Sequence, residues 1–189
     1  MLSAACCRLL DKKMRIIGGK HKGRKLKTFD GTDIRPTSDR AREALFNIFQ
    51  YKIAGAAFYD GFCGSGGVGI EALSRGAVVT MTDISDKSIK LATENLNMIN
   101  ERATVIKSDC PTYLKRTDKK FDFIFLDPPY LSDAGETALK MIDERKILNA
   151  DGYAVLEKDV EVKNEYENLI FLSSRKYGKA YFNIYGVKK

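Results

Sequence analysis

From residue 56 onward, short apolar runs alternate with segments of helical spacing, and this alternation restricts the folds open to the chain. Five apolar runs have the length of buried strands, and they lie at 57–59, 78–82, 103–107, 121–126 and 153–157. Helical patterns separate them, at 68–75, 85–99, 111–114 and 137–145. Strands that alternate with helices favour a mostly parallel sheet with helices on both faces. We therefore predict an α/β, Rossmann-like fold.

A hairpin is expected at each end of this repeat. Two late apolar runs, 169–173 and 180–185, flank Tyr177 and Gly178 and predict an antiparallel C-terminal hairpin. Residues 14–28 predict a small N-terminal β-hairpin, because glycines interrupt a run that would otherwise be extended.

A helix is predicted after the N-terminal hairpin. Its apolar positions recur at helical spacing and are Ala41, Leu45, Ile48 and Phe49. The other side carries the charged residues Arg40, Arg42 and Glu43. This pattern predicts that the apolar side faces the core and that the charged side faces solvent or a ligand.

The excess positive charge is confined to the start of the chain. Residues 1–42 contain 12 Lys and Arg against 4 Asp and Glu, whereas the remainder contains 20 against 21. A basic arm on a neutral domain favours a nucleic-acid partner. A solvated basic face is the alternative, and it is about as common for a short Lys-rich run. The candidate RNA-binding residues are Lys20, Lys22, Arg24, Lys25, Arg35, Arg40 and Arg42.

A glycine-rich loop follows the first predicted strand and opens a helix. Gly64, Gly66 and Gly69 fit the spacing G-x-G-x-x-G, which by itself is a weak signal for nucleotide binding. Asp83 ends the next strand, where it could accept both hydroxyls of a ribose. Asp109 follows the third strand, where it could meet an adenine amine. Each feature also has a purely structural explanation, but together they predict one ligand crevice at one sheet edge.

The acids around this loop favour a cationic cofactor. A dinucleotide would place its pyrophosphate against bare N–H groups, whereas Asp60, Asp83 and Asp109 surround this loop with negative charge. Asp60 could hold an ammonium group, directly or through water. S-adenosylmethionine carries a sulfonium, an ammonium and a ribose, so the sequence favours this methyl donor over NAD.

The tetrapeptide 127–130, D-P-P-Y, follows the apolar run 121–126 directly. Asp127 supplies a carboxylate acceptor, and the backbone carbonyl of Pro128 supplies a second. Tyr130 adds a flat ring. Two acceptors beside a stacking ring suit a planar group with an NH2, such as a nucleobase amine. A stiff exit from a strand is the plainer explanation, but its place at the predicted ligand edge favours the functional one.

Composition narrows the class of protein further. The four cysteines form no disulfide framework, and with the single histidine, His21, they predict no metal site. No run is long and apolar enough to span a membrane. A cytoplasmic protein with reduced thiols is expected.

The chain resembles the S-adenosylmethionine-dependent methyltransferases, and specifically the bacterial 16S ribosomal RNA guanine-N2 methyltransferase family. The resemblance runs from residue 14 to the C-terminus and is carried by 14–20, 23–26, 35–48, 64–66, 69–77, 125–130 and 175–178. The glycine loop and D-P-P-Y are shared by many methyltransferases. The pattern R-P-T-x-D-R-x-R-E-A-L-F-N within 35–48 is far more specific. Two departures are Cys63, where the family usually has Ala, and Asp83, where Glu is usual.

The resemblance implies a Rossmann-like class I methyltransferase that transfers methyl from S-adenosylmethionine to the N2 amine of one guanine. The implied partner is 16S ribosomal RNA, within a small-subunit assembly particle, and the implied state is a monomer. The implied catalytic residues are Asp127, Pro128 and Tyr130. The implied cofactor-binding residues are Asp60, Gly61, Gly64, Ser65, Gly66, Asp83, Ile84, Asp109 and Cys110.

The resemblance divides the chain into three segments. Residues 1–13 are an extension outside it. Residues 14–50 form the basic, RNA-binding hairpin and helix, and residues 51–189 form the catalytic core that binds the methyl donor.

Three other functions remain open at this point. Another amino-group methyltransferase could act on DNA adenine or cytosine, or on protein glutamine, although the forty residues before the core leave little room for a DNA-recognition region. A non-catalytic RNA-binding protein with a relict fold would not need the intact acceptors at 127 and 128. An NAD-dependent dehydrogenase would need a catalytic His or Tyr-Lys pair in the crevice, and the sequence offers neither.

Overall fold

A computed structural model of the chain describes residues 14–29, 39–129 and 131–189. Five helices lie in this part: α1 (Asp39–Ile48), α2 (Gly67–Ser74), α3 (Asp86–Met98), α4 (Cys110–Arg116) and α5 (Ala134–Glu144). Seven strands lie in it: β1 (Ala57–Asp60), β2 (Val78–Asp83), β3 (Thr104–Lys107), β4 (Phe121–Leu126), β5 (Leu148–Lys158), β6 (Leu169–Tyr177) and β7 (Ala180–Val187).

The seven strands form one sheet in the order β3-β2-β1-β4-β5-β7-β6. Strands β1 to β5 are parallel to one another, and β7 pairs antiparallel with both β5 and β6. The predicted fold class is therefore confirmed, including the helices between the strands and the antiparallel hairpin at the C-terminus.

The two faces of the sheet are covered by different elements. One face packs against α1, α2, α3 and residues 14–26, in a core that includes Phe46, Phe58 and Phe123. The other face packs against α4 and α5, in a core built around Tyr59, Leu126 and Tyr185. Since the central strands are buried on both sides, their sequences are almost continuously apolar.

The N-terminal hairpin is smaller than the sequence suggests. Its arms meet in a single antiparallel bridge, Arg15 to Lys25, supported by backbone hydrogen bonds such as Ile16 N–H to Arg24 O (2.9 Å) and Leu26 N–H to Met14 O (2.8 Å). Met14, Ile16 and Leu26 are buried against the helical layer. The segment 14–29 is thus fixed by side-chain packing more than by strand pairing.

Candidate functional site

The crevice of this sheet lies between β1 and β4. On one side of the crevice the strands follow one another in the order β1, β2, β3, and on the other side in the order β4, β5. The connections between successive strands therefore run in opposite directions from this point. Asp60, the last residue of β1, is level with Phe125 of β4. The loops that follow the two strands therefore face each other across the carboxyl edge, which is where open α/β sheets bind ligands.

Backbone hydrogen bonds hold the glycine-rich loop after β1 against the sheet. Gly61 N–H donates to Phe125 O at 3.0 Å, and Cys63 N–H donates to Thr82 O at 2.9 Å. Gly66 precedes α2 with φ of +84°, a backbone conformation that favours glycine. The loop is consequently a preformed turn whose glycines bring backbone close to the crevice.

Asp83 organises this loop from the end of β2. Its Oδ2 accepts from Gly64 N–H and its Oδ1 accepts from Ser85 N–H, both at 2.9 Å. A carboxylate oxygen can accept more than one hydrogen bond, so both oxygens keep capacity for a ligand hydroxyl. The next residue, Ile84, is 71% exposed and offers an apolar surface beside the carboxylate.

Asp60 lies behind the loop, with 1% of its surface exposed. Its Oδ2 accepts from the backbone N–H of Gly69, in the first turn of α2, at 2.9 Å. Burial raises the pKa of Asp60 to about 7, with smaller upward contributions from the negative charges of Asp127 and Asp83. A buried carboxyl that resists ionisation next to two other acids is an environment that a bound cation would stabilise.

Asp109 caps a helix. Its side chain accepts from Thr112 N–H at 3.0 Å, at the N-terminus of α4. Burial pushes the pKa of Asp109 upward, but hydrogen bonds from Thr112 outweigh it, and the pKa lies below its ordinary value. Cys110, the next residue, is buried, and a Cβ on Gly61 would lie only 2.7 Å from its Sγ. Cys110 therefore packs beneath the loop, and the contact of either residue with a cofactor stays a prediction.

Ser65 stands at the tip of the same loop and is nearly buried. Its carbonyl oxygen accepts from the Nδ2 of Asn95 at 2.9 Å. The Asn95 side chain also bonds the backbone of Lys27, since its Oδ1 accepts from Lys27 N–H and its Nδ2 donates to Lys27 O. The Asn95 side chain thus joins the loop to the N-terminal segment.

Asp127 and Pro128 directly follow β4, across the crevice from the glycine loop. Asp127 is half-buried, and its charge acts on Asp60. Pro128 is buried, and a Cβ on Gly135 of α5 would lie 2.9 Å from its Cγ. This close packing fixes the exit from β4, so the carbonyl of Pro128 has little freedom to turn. The third predicted catalytic residue, Tyr130, lies outside the described residues.

The loop after this motif is anchored by a buried ion pair. Lys158, at the end of β5, pairs with Glu136 of α5 and donates to the carbonyl oxygen of Ser132 at 3.4 Å. Sequence reasoning missed this pair, because a lysine that ends a strand looks like an ordinary surface residue.

The tip of the N-terminal hairpin lies at the opposite edge of the sheet from the crevice. Lys20 N–H donates to Ser74 O at 2.7 Å, and Ser74 ends α2, just before the amino end of β2. The Nζ of Lys20 pairs with Glu101 at 2.8 Å, and the imidazole of His21 contacts the same carboxylate. Lys20 therefore has an internal partner, and its role in RNA binding stays a prediction.

The remaining predicted RNA-binding residues fall into three groups. Arg35 lies outside the described residues. Four of these predicted residues are described and have exposed side chains, namely Lys22, Arg24, Lys25 and Arg40. Arg42 alone is in the interior.

Arg42 corrects one expectation from the sequence. It is 1% exposed, and its guanidinium donates to Arg15 O (2.7 Å) and to Asp39 Oδ1 (2.8 Å). Burial lowers its pKa. Arg42 lies on the same side of α1 as Leu45 and Phe46, three and four residues on, which the helical spacing could have shown. It therefore supports the fold of the N-terminal region from the interior, and its role in RNA binding stays a prediction.

Glu71 is a second residue that sequence reasoning missed. It is buried in α2, and its carboxylate accepts from Ile17 N–H (2.7 Å), Gly18 N–H (2.8 Å) and Arg75 Nε (2.9 Å). A single acid inside an otherwise apolar short helix was the available signal, because a buried charge needs partners. Glu71 is the anchor of the N-terminal segment.

Two kinds of feature are absent from the described residues. No helix there has the length and apolar character needed to cross a membrane. In residues 14–29, 39–129 and 131–189, no cluster of three or more His, Cys, Asp or Glu side chains could hold a metal ion.

Comparison with known proteins gives a consistent set of matches. The family model described as Conserved hypothetical protein 95 matches residues 14–186. The "Putative rRNA methyltransferase YlbH" of Bacillus subtilis is 38% identical over 180 residues, covering 91% of this chain and 98% of that protein. The "Ribosomal RNA small subunit methyltransferase D" of Haemophilus influenzae is 36% identical over 182 residues, covering 92% and 93%.

A solved structure agrees with these sequence matches. The "Putative methyltransferase yhhF from Escherichia coli" superposes with a TM-score of 0.84 at 30% identity, covering 93% of this chain and 98% of that one.

Proposed function

We propose that this chain, which belongs to the Conserved hypothetical protein 95 family, methylates ribosomal RNA of the small subunit. The donor is S-adenosylmethionine, and the acceptor is the exocyclic N2 amine of a guanine. The names of the relatives support the class of RNA. The residues at the crevice support the donor and the amine.

The observation that carries this proposal is the position of Asp127 and Pro128. They leave β4 beside the glycine loop of the neighbouring strand β1. A carboxylate and a proline carbonyl offer acceptors, and proline offers no N–H donor. A group with two N–H bonds to donate, such as an exocyclic amine, matches this pair.

The chemistry of the amine explains why two acceptors are needed. The lone pair of guanine N2 is delocalised into the ring, so the nitrogen is a poor nucleophile. Hydrogen bonds to Asp127 and to the Pro128 carbonyl would hold the amine in place and favour a more tetrahedral nitrogen. Asp127 would also stabilise the positive charge that develops there, and it could take the released proton. Tyr130 would stack on the base, which must be exposed or extruded from its surroundings.

The residues around the glycine loop fit a cationic nucleoside cofactor. S-adenosylmethionine would supply a methyl group already activated on a sulfonium. Asp83 would accept from its ribose hydroxyls, and Ile84 would cover one face of its adenine. The buried carboxyl of Asp60 would favour its positive charge through the loop or through water. Among the described residues a Cβ on Gly64 would meet only Phe29, at 4.0 Å, so these residues leave room for a ligand at this point. The pyrophosphate of NAD would face the same acids and be repelled.

The proposal is tested by supplying labelled S-adenosylmethionine together with unmethylated 16S ribosomal RNA, free or assembled into small subunits. We expect label in RNA and its recovery as N2-methylguanosine after digestion to nucleosides. Parallel reactions with DNA and with a glutamine-containing protein test the other amino-group acceptors. Label in either of those, or in no acceptor, would contradict the proposal. S-adenosylmethionine alone should raise the melting temperature of the protein, because a ligand at about 100 times its Kd adds about 2.7 kcal/mol to the free energy of unfolding. NAD, which is not expected to bind, should leave the melting temperature unchanged.

Asp60 should make donor binding depend on pH. Its pKa of about 7 lies above the ordinary value of 3.8, so the folded protein keeps this proton until near neutral pH. Its ionisation therefore costs stability as pH rises from about 4 to 7. A bound cation favours the ionised form, so affinity for S-adenosylmethionine should rise with pH, by at most about tenfold per unit below pH 7.

Calorimetric titration between about pH 5.5 and 7 measures this effect. Asp60→Asn keeps an oxygen for Gly69 N–H but removes the ionisable group, and its affinity should hardly change over that range. An equally steep pH dependence in the variant would assign the effect to another group.

A further inference from the structure

The turn between β6 and β7 carries three exposed cationic side chains. They are Arg175, Lys176 and Lys179. In the described part of the chain none of the three forms an ion pair with a carboxylate. At the same edge of the sheet, Lys107 pairs with Asp86 and Lys158 pairs with Glu136. Among the described residues, the turn thus concentrates cations that have no carboxylate partner.

The register of the sheet places this turn at the crevice edge. Leu126, which ends β4, is level with Leu156 of β5, and Leu156 is level with Asn183 of β7. β7 begins three residues earlier, at Ala180, so the turn rises about 10 Å beyond the end of β4. β7 lies two strands from β4, a lateral separation of about 10 Å. The turn therefore stands beside the exit where Asp127 and Pro128 lie.

Aromatic contacts hold the turn in place. The ring of Tyr177 packs on Phe182 with 5.2 Å between centroids, and Phe182 packs edge-on against Phe125 in the core. The Nζ of Lys176 lies 5.1 Å from the centroid of the Tyr181 ring. Gly178 has φ of +65°, as the first central residue of a two-residue hairpin turn requires. A turn fixed in this way loses little conformational entropy when its cations bind a partner.

We infer that this turn is a second RNA-binding element, whose cations bind phosphates on either side of the guanine held at Asp127. The inference rests on the proposed function and adds a contact surface to it. Phosphates are the expected partner because exposed cations near a base-binding crevice fix the position of a strand without reading its sequence. The tip of the N-terminal hairpin, at the other edge of the sheet, would then contact a separate part of the RNA.

The double substitution Lys176→Gln and Lys179→Gln tests this inference. It removes two charges and nearly keeps the side-chain length. The matched control is Lys119→Gln with Lys120→Gln, an exposed pair that precedes β4 at the opposite edge. Binding of protein-free, unmethylated 16S RNA transcript is measured against salt from about 50 to 200 mM. The test variant should reduce the magnitude of the log–log salt slope by about 1.4 to 1.8, and the control should not change it.

Kinetics give the second readout. The test variant should need more RNA for half-saturation, with the rate at saturating RNA and the affinity for S-adenosylmethionine unchanged. If wild-type protein methylates RNA and the test variant has the wild-type salt slope, the inference is wrong and the proposed function stands. An effect seen with assembled particles but not with protein-free RNA would also overturn it, since the turn would then contact protein. If wild-type protein methylates no RNA, the proposed function itself fails.

Discussion

Asp127→Ala should slow methyl transfer by about a hundredfold to a thousandfold, the typical loss when one preorganised electrostatic partner is removed. The variant loses one of the two acceptors that face the amine, and it loses the charge that balances the cationic nitrogen. Single-turnover kinetics with labelled S-adenosylmethionine and unmethylated RNA measure the chemical step directly. Folding and donor binding should be retained, because the proposal places Asp127 on the substrate side of the crevice. A wild-type rate in this variant would mean that Asp127 has no part in the reaction.

Asp127→Asn separates charge from geometry. It keeps the shape and an acceptor oxygen, so a rate near wild type would assign the role of Asp127 to positioning alone. We expect a large loss, because charge stabilisation of the developing cation is part of the proposal. Asp133→Ala is the matched control: Asp133 is exposed at the start of α5, and its side chain makes no capping hydrogen bond there.

Gly19→Ala should loosen the N-terminal segment from the rest of the protein. Gly19 has φ of +75°, and a Cβ there would lie 1.9 Å from the carbonyl oxygen of Ser74, which is helix backbone and cannot turn away. The combined strain and clash should lower the free energy of unfolding by about 2 to 5 kcal/mol. Urea denaturation measures the loss, and limited proteolysis at the lysines of this segment shows whether it has detached.

Gly23→Ala provides the control for backbone strain. Gly23 has φ of +85°, but a Cβ there would meet no atom of the described residues within 4 Å. Its cost should be about 1 to 2 kcal/mol, the penalty of the left-handed conformation alone. Equal losses in the two variants would show that docking against Ser74 contributes nothing.

The order of the elements could be predicted from the sequence because the central strands are apolar on both faces. The ends of the strands were harder to predict. β5 was predicted at 153–157 but begins at Leu148, and its first half contains Asn149, Asp151 and Gly152. Those residues are typical of loops, but Leu148 pairs with Phe121 across an irregular register, which no local pattern indicates. Pairing partners distant in sequence decided where this strand starts.

One part of the candidate site could likewise be predicted from the sequence and another could not. The crevice at β1 and β4 could be predicted, because acids and glycines at strand ends meet at one edge of a parallel sheet. The orientation of the N-terminal hairpin could not, since it depends on three hydrogen bonds to α2 residues more than fifty positions away, two to Glu71 and one to the Oγ of Ser74. Its charges suggested an RNA-binding arm, but they carry no signal that its tip lies at the edge of the sheet opposite the crevice.

The amide of Asn95 gives this architecture a thermodynamic consequence. It has 0% exposure and bonds Lys27 and Ser65 at once, so the N-terminal segment and the glycine loop share one rigid connection. A ligand that further stabilised the loop at Ser65 would therefore also stabilise the segment at Lys27, and the reverse would hold by reciprocity.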